Sequence, residues 1–207
     1  MPASEYSTAS STGATDKPKV KIQPVFKTYS PGETGMFGSM YYMIIDPETF
    51  FTRADFTKEV GTVFMVIFFV NIVRGIGSLI MKFLLLNKMP QGKELDAVML
   101  GSVFAFIYPF LVSVLGMIVM TLMYRAFASW KRIFGIYAFA SVPYLISFLP
   151  LFGLFSFIFF VYYARKGFEN VFGLDSFASL LFALGLPILF WSVTLFIFGS
   201  AIILGGK

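Results

Sequence analysis

Between Val60 and Leu204 the chain runs through about five long apolar stretches separated only by short polar breaks. No other feature constrains the fold as strongly. A bilayer-spanning helix needs about 20 apolar residues in a row, and a helix satisfies its own backbone hydrogen bonds within each span. The sequence therefore predicts an all-α membrane protein: a bundle of about five transmembrane helices, preceded by a disordered N-terminal tail and a short interfacial helix. With 57% hydrophobic and 13% charged residues, the balance is too apolar for a water-soluble domain.

The chain contains no cysteine and no histidine. Disulfides, thiol redox chemistry, Cys or His metal sites and every nucleophilic triad with an imidazole base are thereby removed. There is also no GxxxxGK-type phosphate loop and no intramembrane carboxylate pair. The expectation is a non-enzymatic protein with no catalytic residue, no cofactor and no metal. Its net charge of +5 lies mostly in the ends and loops, where it reflects topology and attraction to anionic lipid. No interleaved basic and aromatic stripe suggests nucleic acid.

Residues 1–35 are rich in Ser, Thr, Ala, Pro and Lys and read as a disordered cytoplasmic tail. The tail lacks the charged start, apolar core and cleavage site of a secretory signal and is expected to stay on the protein. Residues 36–59 differ: the apolar run MFGSMYYMII is too short to span, and Asp46 followed by Pro47 reads as an N-cap with proline at the first helical position. Phe50, Phe51 and Ala54 then share one face of a short helix. This amphipathic segment either lies at headgroup level, with Phe50 and Phe51 as interfacial residues, or packs on the cytoplasmic end of the domain without touching lipid.

The transmembrane domain occupies 60–204, with spans at about 60–86, 97–124, 133–149, 151–168 and 177–204. Pro109 and Pro187 fall inside two of them and predict kinks rather than breaks. The stretch from Ile133 to Ala164 is too long for one span and short for two. Charge decides it: a tight turn around Leu149–Gly153 puts Arg125, Lys131, Arg132, Arg165 and Lys166 on one side, together with Arg53 and Lys58. The positive-inside rule therefore favours a hairpin, five spans and a cytoplasmic N-terminus, in the cell membrane of a prokaryote or the ER and Golgi of a eukaryote.

Arg74 is the sharpest single residue, one turn after Asn71 in the middle of the first span. A centred arginine costs about 2.5–3.5 kcal/mol on insertion scales and needs a partner. All eleven acidic residues lie outside the predicted spans. Its acceptors must be carbonyls freed at prolines, the hydroxyls of Tyr108 or Tyr144, or a lipid phosphate, and Lys82 can reach the far interface. A structural or lipid-anchoring role and a ligand site both fit. In the third span Tyr137, Ser141, Tyr144 and Ser147 step by four, three and three, which puts their hydroxyls on one helix face, as cavity lining or interhelical glue. Gly101 with Ala105 and Ser179 with Ala183 permit close helix packing. Together Asn71, Arg74, Tyr108, Tyr137, Ser141 and Tyr144 form the candidate polar site.

Asp46, Pro47, Phe50 and Phe51 before the first span, and SVPYLISFLPLFG from Ser141 to Gly153, mark a chain that resembles the Yip-domain family over about residues 40–204. These are Ypt/Rab-interacting membrane proteins with prokaryotic relatives. The resemblance implies five spans and, in eukaryotic members, binding of prenylated Rab-type GTPases through a cytoplasmic Asp-Leu-Tyr-Gly-Pro motif. That motif is absent here and only Asp46-Pro47 occupies its place, which points to a prokaryotic-type member. The expected role is membrane organisation or recruitment of a protein partner or a second copy. The competing expectation is a small transporter, channel component or lipid-handling protein built on Arg74.

Overall fold

The computed structural model of the protein describes residues 31–86, 92–124, 128–149 and 151–205. In chain order the helices are α1 (Pro31–Ile45), α2 (Pro47–Arg53), α3 (Val60–Leu86), α4 (Lys93–Tyr124), α5 (Trp130–Ala140), a 3-10 segment (Val142–Ile146), α6 (Phe152–Phe172) and α7 (Ser176–Gly205). No strand occurs among the described residues. Most of the expected tail, residues 1–30, lies outside them, as do Lys88, Arg125 and Pro150. The remainder of that tail, residues 31–35, is instead the first turn of α1. There Gly35 bends the helix with φ 67 and ψ −177, a conformation open essentially only to glycine.

Three helices are long and apolar enough to cross a membrane: Val60–Leu85, Met99–Tyr124 and Ser176–Leu195. Only 28%, 28% and 22% of their most apolar windows are buried inside the protein, so most of their apolar surface is left for lipid or another copy. α4 and α7 run uninterrupted through Pro109 and Pro187. Next to the first, the buried Ser113 hydroxyl donates to the Pro109 carbonyl.

The core is built around α5, whose residues from Ile133 to Ala140 are all buried. It is enclosed by α3, α4 and α6, as expected of a helix apolar on every side. The expected continuous helix over 133–149 is corrected here. α5 stops at Ala140 and the chain tightens into the 3-10 segment, because Pro143 has no N–H to donate and its ring excludes the carbonyl four residues earlier. Ser156 of α6 donates to the Pro143 carbonyl at 2.9 Å and holds this turn from the other arm. α5 and the 3-10 segment together rise about 27 Å. The apolar part of α6, Phe152–Ala164, rises about 20 Å before Arg165, Lys166 and Glu169 occupy its later turns.

The tip of this hairpin meets α3 at Gly77, where a Cβ would run into the Phe148 ring. Leu151, at the tip, holds φ 73 and is 85% exposed. Gly173 ends α6 in the left-handed conformation that suits a glycine cap.

Two expectations for residues 36–59 change. α1 is not amphipathic: Met40 and Met43 are buried while Phe37, Tyr41, Ile44 and Ile45 are exposed, so it is apolar on opposite sides. Phe50 and Phe51 are not interfacial; each is 1% exposed. Asp46 caps α2 by accepting from the Thr49 N–H at 3.1 Å, and this start turns both rings inward. Phe50 then lies 4.7 Å from the Phe139 ring, and Phe56 lies 5.9 Å from it. The driving force is burial of aromatic surface in the protein rather than in lipid.

Candidate functional site

Arg74 lies about 21 Å along α3 from Val60 and about 18 Å before Leu86, at 1.5 Å per residue. It borders an open-sided groove of about 170 Å³ between α3 and α4. From α3 come Asn71, Arg74, Gly75 and Ser78; α4 contributes Gly101, Ser102 and Ala105. The groove exists because small residues face each other. A Cβ on Gly75 would stand 3.0 Å from the Ser102 hydroxyl, whereas one on Gly101 would meet nothing within 4 Å. The Asn71 amide donates to the Ile67 carbonyl at 2.9 Å, so its side chain is held along its own helix.

The Arg74 guanidinium is exposed and sits 5.6 Å from the centroid of the Tyr144 ring, within cation–π range. Among the described residues it forms no ion pair and no hydrogen bond. Tyr144 is therefore the residue that meets the charge, through its ring and without a hydrogen bond. That contact is available because the 3-10 segment packs on α3.

The other expected site residues separate from this groove. Tyr108 packs against α7, with its ring 5.2 Å from Phe190 and 5.9 Å from Trp191. Tyr137 is buried and donates to the Phe182 carbonyl at 2.8 Å, tying α5 to α7. Ser141 donates to the Ala138 carbonyl at 2.6 Å, and Ser147 to the Tyr144 carbonyl at 2.8 Å. The expected hydroxyl face does not form, since the helix that would carry it ends at Ala140 and these serines bond to nearby backbone instead.

Ser78 and Ser102 escape the sequence reading. Ser78 carried a usable signal, since it follows Arg74 by four residues on the same helix face. Ser102 carried none, because its position depends on how α4 crosses α3.

A second polar cluster joins α2, α6 and α7 at the end where α3 begins. Lys166 pairs with Glu48 at 2.6 Å and with Glu169 at 3.3 Å, and Arg165 pairs with Glu169 at 2.9 Å. Ser176, the first residue of α7, bonds to both Glu169 and Arg165. Burial raises the Glu169 pKa, but hydrogen bonds from Ser176, Arg165 and Lys166 outweigh it and hold the carboxyl below its usual 4.5. In the connection to α3, the Thr57 hydroxyl and N–H hold the Asp55 carboxyl below its usual value, aided by Lys58. These groups fasten the helices together.

Comparison with protein-family models, curated proteins and solved structures returns no match for this chain.

Proposed function

We propose that this chain is a non-enzymatic, five-span integral membrane protein of the Yip type, which organises the bilayer or recruits a partner through its α1–α2 end. The observation that supports this most is where the exposed apolar side chains lie. Phe68, Ile76, Leu100, Leu122 and Leu195 project from the three long helices with 54–76% exposure. On α1, Phe37, Tyr41 and Ile45 extend the same apolar surface at 60–63% exposure. Such surface needs lipid or a second apolar partner to cover it. Arg53, Lys58, Lys131, Arg132, Arg165 and Lys166 gather in segments that the positive-inside rule assigns to the cytoplasm, where they favour anionic lipid. The α5–α6 hairpin supplies the third and fourth spans of this reading, in chain order.

Topology is testable directly, because the chain has no cysteine of its own. Single cysteines at Thr57, Gly92 and Leu151 are probed in sealed cells with an impermeant maleimide. Five spans with a cytoplasmic N-terminus require external labelling at Gly92 and Leu151 and protection at Thr57. If Leu151 is shielded from both sides, the hairpin is re-entrant and only three helices cross. For the role itself, the full chain is reconstituted in vesicles containing phosphatidylglycerol and compared with a Phe37→Ser, Tyr41→Ser, Ile45→Ser variant. Loss of vesicle clustering or reshaping in the variant is expected; an unchanged effect removes α1 from the mechanism.

A further inference from the structure

Arg74 presents an energetic problem that the protein itself leaves open. In a bilayer it would lie near the centre of a hydrocarbon layer about 30 Å thick, far from either interface for a snorkelling side chain. An arginine stays charged, and its five donors require acceptors. The Tyr144 ring lies 5.6 Å from the guanidinium, within cation–π range, and accepts no hydrogen bond from it. Beside the guanidinium lies a groove with an amide, two hydroxyls and glycine-lined walls, rather than packed side chains.

The groove also has a polar approach. Arg74, Ser78 and Lys82 follow at i, i+4 and i+8, a row along one face of α3 that ends about 6 Å before Leu86. Lys82 sits where the far interface begins, and Ser78 is halfway between the two cations. A volume of about 170 Å³ holds about five or six waters, at ~30 Å³ each, so it admits a compact tetrahedral anion.

We propose that the α3–α4 groove binds the phosphate of a phospholipid headgroup, with Arg74 as its bidentate partner and Lys82 marking its entrance. A guanidinium fork matches two phosphate oxygens, and the pairing is strongest where water is scarce. Phospholipid is the one phosphate source already present at high concentration beside α3. The inference requires α3 and α4 to lie in a bilayer, and it is independent of the role proposed for α1 and α2.

The test uses the full chain, purified in a maltoside detergent that carries no phosphate. Native mass spectrometry and thermal stability are followed as dioctanoyl phosphatidylglycerol, dioctanoylglycerol and inorganic phosphate are added separately. Phosphatidylglycerol is expected to bind and to raise the melting temperature, while dioctanoylglycerol does neither. Arg74→Gln should weaken binding by about tenfold or more, and Arg74→Lys by less, since it keeps the charge and loses the fork. Gly101→Leu is the control for folding, because its side chain enters open space and fills the groove while Arg74 stays in place. It should abolish binding without lowering the stability of the lipid-free chain. Wild-type affinity in both Arg74→Gln and Gly101→Leu would overturn the proposal. So would equal binding of dioctanoylglycerol, or binding of inorganic phosphate without phosphatidylglycerol, which would make this a site for a free anion.

Discussion

Two glycine-lined contacts in this protein are used in opposite ways. At Gly135 of α5 the Phe56 ring occupies the space where a Cβ would stand, and Phe50, Phe51 and Phe139 close the surrounding corner. At Gly101 of α4 nothing lies within 4 Å of that position, and a cavity borders it. One glycine admits an aromatic ring, and the other keeps a wall low beside a cation. The same residue type thus supports a dry joint in one place and a polar opening in another, and the neighbours supplied by other helices decide which.

The contrast can be broken most severely at Phe50. Phe50→Ala should cost about 3–5 kcal/mol, read as lost stability in detergent, because the aromatic corner cannot collapse around α2. Gly135→Ala should cost about 1–3 kcal/mol by forcing Phe56 aside. Gly101→Ala should be neutral or slightly stabilising, by up to about 1 kcal/mol, through helix propensity alone. A Gly101→Ala variant as damaging as Gly135→Ala would show that the groove is closed in the folded protein.

Smaller effects sharpen the comparison at the margins of the bundle. Leu151→Gly should stabilise by no more than about 1 kcal/mol, since glycine accepts the positive φ without strain. Lys166→Ala should cost at most about 1 kcal/mol, as expected for a pair exposed on one side. The sign of the pH dependence follows from Glu169. Its carboxyl is held below 4.5 in the folded protein, so its contribution is complete above that value and is lost as pH falls through the depressed one. Melting temperature against pH should decline below about 4.5, and Glu169→Gln should flatten that decline.

The long helices are legible in the sequence because 20 or more apolar residues leave few other structures available. Pro109 and Pro187 are legible as well, since neither is expected to break its helix, but the stop before Pro143 is not. Pro109 and Pro187 sit inside helices that continue, whereas α5 has ended by Pro143. The partner that accommodates the turn at Pro143 is Ser156, 13 residues downstream on another helix. A local pattern contains no trace of it. Phe50 and Phe51 show the same limit: helical spacing puts them on one face, but only the packing of α2 on α6 and the ring of Phe139 on α5 determine that this face turns inward. For Arg74 the sequence supplied the cation and the lack of a nearby carboxylate. The opposing wall of Gly101 and Ser102 depends on a helix crossing that composition does not encode.

The hairpin tip meets α3 only as far along as Gly77, about 25 Å from Val60, yet α3 continues to Leu86. Beyond that level Leu84, Leu85, Met99 and Leu100 are 61–72% exposed. Among the described residues α3 is thus braced by the hairpin over its first part, whereas its last turns form a slender, exposed end. In a bilayer that thinned or thickened, the braced end would hold its shape, and the slender end would answer by tilting. Arg74 lies at the boundary between the two, where such a tilt would first alter the separation of α3 and α4.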